Sequence, residues 1–188
     1  MNRKKLNFAS ITLLVVLALA LTTVSAASVH LKGGKNAEPW FTDKGLTLLA
    51  EGELAGLGYE NVWIEINALA NPTATCTNNG GNQAPGQNPA QVAVTGGVMI
   101  EPEDFTKNGN VYFFVETEPP YSPFGIVPNA PDCPNPNWTE QITDLAFTSA
   151  VITVEQPVGT LVLTVSCTFE YPTMDGAVSK AMVTCTSE

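Results

Sequence analysis

The sequence is short of the residues that carry most enzymatic chemistry. It holds one histidine, His30, and eight basic residues against eighteen acidic ones in a chain of 188. A lone histidine close to the start of the chain leaves a serine or cysteine nucleophile without its usual base, and no Gly-x-Ser-x-Gly elbow occurs. No Cys-x-x-Cys pair is present, which argues against zinc and redox sites. Sparse basic charge argues against nucleic acid or anionic membrane as partners. No window carries a helical apolar period. Beyond the first thirty residues no apolar run approaches membrane-spanning length. None of these patterns implies a cofactor.

What is present at the start is an export signal. Met1-Asn-Arg-Lys-Lys5 is basic, Leu6 to Val24 is dominated by apolar residues, and Val24-Ser25-Ala26 ends the run with small ones. That order is the one a signal peptidase reads, and it places a signal peptide at 1–26 and one secreted domain at 27–188. An uncleaved anchor helix is the competing reading, and the Val-x-Ala ending favours cleavage after Ala26 or Ala27. No cysteine follows the cut, which argues against a lipid anchor. Loss of Arg3, Lys4 and Lys5 leaves five basic residues and a formal charge of −13. The acids are scattered in runs of two at most, as on a solvated surface. The remaining length suits a single domain with a sizeable core.

Alternation with period two recurs from there on. Val29 and Leu31 share a face, as do Leu46, Leu48, Ala50 and Leu54, then Val62, Ile64, Ile66 and Ala68. Val92, Val94, Val98 and Ile100 come next, and Asn108-Gly109 signals a hairpin before Val111–Glu118. Residues 119–138 contain seven prolines and read as an extended loop. Apolar parity then switches between Phe147 and Ala150, which predicts a bulge or break near Ser149. Leu161 to Tyr171 alternates cleanly, and a turn at Asp175-Gly176 returns the chain through Ala181, Val183 and Cys185. About nine short strands with one apolar face each predict an all-β fold. Two antiparallel sheets packed face to face, immunoglobulin-like or jelly-roll-like, bury those faces.

Four cysteines in a secreted chain predict two disulfides, with three possible pairings. A turn centred on Asp175-Gly176 sets Cys167 opposite Cys185, Phe169 opposite Val183 and Tyr171 opposite Ala181. Directly opposed side chains of an antiparallel pair lie close enough for a disulfide. Cys76 with Cys133 follows by exclusion. Each closure stabilises by about 3–4 kcal/mol in the chain-entropy model.

Cys76-Thr-Asn-Asn-Gly-Gly-Asn-Gln-Ala-Pro-Gly-Gln-Asn-Pro89 is the most distinctive stretch. Its glycines and prolines predict a loop without regular strand, held rigid by Cys76 and by amides that bond their own backbone. A flexible polar tract is the competing reading. No lysine and no helix pattern come after it, so it is no phosphate cradle. Together with Cys133-Pro-Asn-Pro-Asn-Trp-Thr139 it resembles a group of small secreted proteins of unassigned function. The resemblance runs from the Gly45 strand to about Val154. It implies an all-β secreted domain in which Cys76 and Cys133 belong together, and it carries no activity.

Candidate chemistry is thin. Glu51 with Glu53, and Glu116 with Glu118, could serve a two-carboxylate glycosidase, although wet strand faces produce the same spacing. Glu101-Pro-Glu103-Asp104 lacks the ligand spacing of a calcium loop. Asn137-Trp-Thr139 is a glycosylation sequon in a eukaryotic host. Binding has better support. Trp63 alternates outward beside Glu65 and Asn67, Tyr112 and Phe114 share a face with Glu116, and Trp138 lies near Cys133. With Asn78, Asn82, Gln83 and Gln87 of the glycine-rich loop they form a candidate ligand surface for a polysaccharide or protein. Packing across neighbouring strands is the competing role for these aromatics. The sequence therefore points to a secreted, non-catalytic binding or cell-surface module, with a small hydrolase as runner-up. N-terminal sequencing of the exported protein is expected to begin at Ala27 or Ser28; a membrane-bound product retaining Met1 would contradict that address.

Overall fold

The computed structural model describes residues 28–34, 36–85, 91–120, 133 and 137–188, so the signal segment lies outside the described residues. Among these, eleven strands and no α-helix build two antiparallel sheets. They are β1 (His30–Leu31), β2 (Trp40–Asp43), β3 (Leu48–Ala55), β4 (Val62–Asn78), β5 (Gln83–Pro85) and β6 (Val92–Ile100). After these come β7 (Val111–Glu116), β8 (Trp138–Glu155), β9 (Leu161–Phe169), β10 (Gly176–Ala177) and β11 (Val183–Ser187). In the five-stranded sheet, β3 is central: β1 and β2 succeed one another along one edge, β7 takes the other, and β10 lies beyond β2. The six-stranded sheet runs β11-β9-β8-β4, and β4 offers its far edge first to β6 and then to β5. No helix among the described residues is long and apolar enough to cross a membrane.

Most alternating residues go where their period sends them, but Leu161, expected on the inner face, is 57% exposed, because the β8–β9 register shifts between Val154↔Leu163 and Glu155↔Leu161. Val62, Ile64, Ile66, Ala68 and Ala70 of β4 are buried, and Leu48, Ala50 and Leu54 of β3 face them from the other sheet. Phe41 of β2 meets Phe169 of β9 edge-to-face, with ring centroids 5.2 Å apart, so this pair also spans the two sheets. β-branched and aromatic side chains fit such half-buried pleats, and full burial of one contributes about 1.5–3 kcal/mol.

The longest ladder joins β4 to β8, from Trp63↔Glu155 to Asn78↔Trp138. Two residues of β8 have no opposite number in it. Leu69 pairs with Ser149 and Ala70 with Phe147, leaving Thr148 over, and Thr73 pairs with Asp144 and Ala74 with Ile142, leaving Thr143 over. Each bulge flips the parity of the strand beyond it, so Ile142 is buried, then Leu145 and Phe147, then Ala150 and Ile152. The Thr148 hydroxyl donates to the Leu69 carbonyl and the Thr143 hydroxyl to the Thr73 carbonyl, each at 3.2 Å. Extra residues that disturb a ladder thus repair it with their own side chains.

Three local expectations are corrected. The stretch from Cys76 is partly strand: Thr75, Cys76 and Thr77 pair with Pro85, Ala84 and Gln83, which makes it a hairpin. Its turn is held by Asn78, whose Oδ1 accepts from the Gly80 and Asn82 amides at 2.9 Å. Ladder bonds use backbone groups, which a polar composition does not remove. Asn108-Gly109 closes a local turn, with the Gly109 amide on the Thr106 carbonyl at 2.9 Å, but the flanking strands enter different sheets. Asp175-Gly176 does not close the last hairpin either. Past a bond from the Glu170 amide to the Met182 carbonyl, residues 171–181 leave it, and β10 pairs with β2 of the opposite sheet. The register survives: Phe169↔Val183 and Cys167↔Cys185 are opposed as expected, whereas Tyr171 and Ala181 are exposed and unpaired in any strand. Both disulfides form, Cys76–Cys133 and Cys167–Cys185.

The sheets are tied along both sides. Beyond β7, the Thr117 amide bonds the Leu48 carbonyl in one sheet and the Glu118 amide bonds the Thr95 carbonyl in the other. This approach requires Gly96, because a Cβ there would stand 1.9 Å from the Glu116 carbonyl oxygen. On the opposite side the buried Asp43 accepts from the Gly45 amide at 2.9 Å and from the Thr173 hydroxyl. That hydroxyl also accepts from the Phe147 amide at 2.8 Å, and the Thr173 amide bonds the Phe147 carbonyl. One aspartate and one threonine therefore join β2, β8 and the 170–182 segment.

Burial raises the Asp43 pKa, the Thr173 and Gly45 bonds partly oppose the rise, and Asp144 and Asp175 add to it. A raised carboxyl favours the fold fully below the ordinary value of 3.8, and that contribution is lost as pH rises through the folded value. Thr173→Val removes a bond to the ionised form and orphans the Phe147 amide. It is expected to cost about 1–3 kcal/mol, with the larger loss at neutral pH, by urea denaturation at pH 4 and pH 7. Equal losses at both pH values would show that Asp43 does not sense this bond.

Candidate ligand-binding face

The outward residues of β2, β3 and β7 form rows across the five-stranded sheet. Trp40, Glu51 and Phe114 stand in one row, because Glu51 pairs with Trp40 on one side and Phe114 on the other. The next row places Glu53 beside Tyr112, and the row on the other side places Leu49 between Thr42 and Glu116. Tyr112 is 65% exposed, Phe114 67% and Trp40 45%. Their alternate neighbours Val111, Phe113 and Val115 are buried, so the parity of β7 points its two outer rings into solvent. The packing alternative for Tyr112 does not hold.

Two of the three glutamates on this face are paired. Lys32 binds Glu53 at 2.6 Å, and Lys44 binds Glu116 at 2.7 Å. Glu116 also accepts from the Thr47 hydroxyl at 2.6 Å. The Lys180 ammonium sits 4.2 Å from the centroid of the Trp40 ring, a cation–π contact. Lysines 32, 44 and 180 thus offset glutamates 51, 53 and 116. Among the described residues, the Glu51 carboxylate makes no hydrogen bond or ion pair, although it stands between two aromatic side chains.

The remaining candidates are not gathered here. Trp63 belongs to β4, on the outside of the opposite sheet, and is half-buried over Gly97, where a Cβ would stand 2.3 Å from the indole. Trp138 pairs with Asn78 at the far end of the β4–β8 ladder and is also half-buried. Asn78 spends its Oδ1 on the turn, Asn82 and Gln83 lie in that hairpin, and Gln87 lies outside the described residues. His30 is exposed, with Nδ1 2.7 Å from the Ser28 carbonyl oxygen. Glu101, Glu103 and Asp104 flank a single 3-10 turn, and no group of three metal-ligating side chains occurs among the described residues. Trp40 and Lys180 escape a reading of the sequence: Trp40-Phe-Thr-Asp43 does alternate, but four residues before a lysine and a glycine give a faint signal.

Glu51 and Glu53 lie on the open face, and Glu53 is tied to Lys32. Hydrogen bonds from Lys44 and Thr47 hold the Glu116 pKa below its usual range, which unfits it for the general-acid role but not for that of the ionised partner. No family model matches this chain, and neither a curated protein nor a solved structure matches it significantly.

The depressed Glu116 carboxyl has a signed consequence. Its contribution to stability is present above the ordinary value of 4.5 and is lost as pH falls through the lowered one. Lys44→Met is expected to move the Glu116 titration, tracked by carboxyl NMR, up toward that ordinary value. An unchanged midpoint would mean that the ion pair does not persist in solution.

Proposed function

We propose that this chain is a secreted, non-catalytic extracellular module. It binds a polysaccharide or a protein through the outer face of its five-stranded sheet, free or within a cell-surface layer. The observation that carries this reading is the pair Tyr112 and Phe114, both about two-thirds exposed and in register with Glu53 and Glu51. Large rings held in water by a rigid strand forfeit burial that each would gain elsewhere, and contact with a ligand recovers it. Two disulfides support an oxidising, extracellular setting. The export signal at 1–26 supports the same address, as does the loop motif that resembles small secreted proteins. A hydrolase using the paired glutamates is the weaker reading, because Glu53 and Glu116, one from each pair, are held in ion pairs with Lys32 and Lys44.

The test is retention of the mature protein on envelope or matrix material of the producing cell, with reducing sugar measured in the supernatant. Wild type is expected to be retained with no sugar released, and a Tyr112→Ser/Phe114→Ser variant to pass through. Sugar release that Glu51→Gln or Glu116→Gln abolishes would establish the hydrolase instead.

A further inference from the structure

We infer that the ligand of this face is a neutral, β-linked polysaccharide of all-equatorial pyranose units. Successive sugar rings stack on Phe114 and Tyr112, and their rim hydroxyls meet Glu51 and the Lys32–Glu53 pair. The inference rests on the reading of this face as a binding surface and adds the chemistry of what it binds.

Charge is the first argument. The exported chain carries a formal −13, with only five lysines to offset eighteen acids. Three of those five, Lys32, Lys44 and Lys180, are engaged with Glu53, Glu116 and Trp40 on this one face. The acidity of the protein therefore lies elsewhere, and the aromatic face is balanced. A basic protein partner would be drawn to the acidic remainder, and a polyanion would be repelled by it. A neutral ligand is indifferent to both.

Geometry is the second. A pyranose with equatorial hydroxyls presents C–H groups on its two faces and hydroxyls round its rim. Matching it takes an apolar ring beneath and a polar acceptor at the side. Each outer ring of β7 has such an acceptor directly across on β3: Glu51 beside Phe114 and Glu53 beside Tyr112. Opposed side chains start ~4.5–5.5 Å apart, and residues two along a strand repeat every ~6.8 Å, the scale of successive sugar rings. In a β-linked chain alternate rings turn over, and because both faces of such a ring are apolar the stacking persists. Glu51, with no protein partner among the described residues, is free to accept from a hydroxyl. Lys180 already covers the Trp40 ring, so Trp40 borders the site rather than supplying a third platform.

The experiment measures binding of the mature protein to insoluble β-1,4-glucan and to a soluble β-1,4-gluco-hexaose, at low and high salt. Phe114→Ala, Tyr112→Ala, Glu51→Gln and, as a remote control, the 83%-exposed Tyr59→Ala are compared, with thermal melts confirming folding. The expected result is binding that changes little with salt. Each ring variant lowers it by about tenfold or more and Glu51→Gln, which loses an acceptor oxygen, by less, while Tyr59→Ala stays within about threefold. Two results would overturn the inference while leaving the face as a binding surface. These are capture of only a charged polymer or a protein, or strong loss on raising salt. Glucan binding that survives both ring variants would remove the site itself. Absence of binding by this face to neutral glycans, charged glycans and matrix material alike would overturn both readings.

Discussion

The pairing of Val62–Asn78 with Trp138–Glu155 is the constraint on which the rest depends. Every other strand of the larger sheet attaches to one of these two or to a strand that does, and the smaller sheet packs against their buried residues. Because side chains alternate with a period of two, a strand of this length survives only if its register errors are placed on purpose. Thr143 and Thr148 take that role, each returning a hydrogen bond to the ladder that it interrupts. The ladder also sets the Cys76 end and the Trp63 end of the molecule far apart, so the tryptophan of β4 and that of β8 do not share a surface.

Much of the sandwich was legible because burial on one face of a strand writes itself into the sequence. Val62-x-Ile-x-Ile-x-Ala68 and Leu163-x-Val-x-Cys-x-Phe169 could hardly be anything else, whereas Leu161 keeps the period but not the burial. The Phe147 to Ala150 parity change marks the bulge at Thr148, and the same reasoning applied to Ile142 and Leu145, three apart, would have found the one at Thr143. What stayed hidden is what alternation does not encode. A two- or three-residue strand such as β5 or β10 has no period, and a turn signal such as Asn108-Gly109 fixes a local bend without saying which sheet the next strand joins. Alternation sets Cys167 and Cys185 on one face but not their register; that follows because the 171–181 excursion is centred on Gly176, as a tight turn there would be.

The candidate surface was half legible for a related reason. Parity placed Tyr112 and Phe114 outward correctly, since β7 is regular and its inner residues are unmistakable. It placed Trp63 outward as well, but could not show that Gly97 lets the indole lie down against its own sheet. Exposure is thus decided one strand over. Partners across the sheet, such as Glu51 for Phe114 or Lys180 for Trp40, come from segments distant in sequence and from a long excursion that carries no period. The same pairing explains how an acidic chain keeps one face electrically quiet.

The most direct measurement of the proposed role of the outer face is to titrate the isotope-labelled mature protein with β-1,4-gluco-hexaose and monitor its amide and aromatic resonances by NMR. Binding at that face shifts resonances of Glu51, Glu53, Tyr112 and Phe114, fading across Trp40, with Trp63 and the 78–83 hairpin unmoved. Shifts centred on Trp63, or on Asn78 to Gln83, would contradict it and move the site to the other sheet.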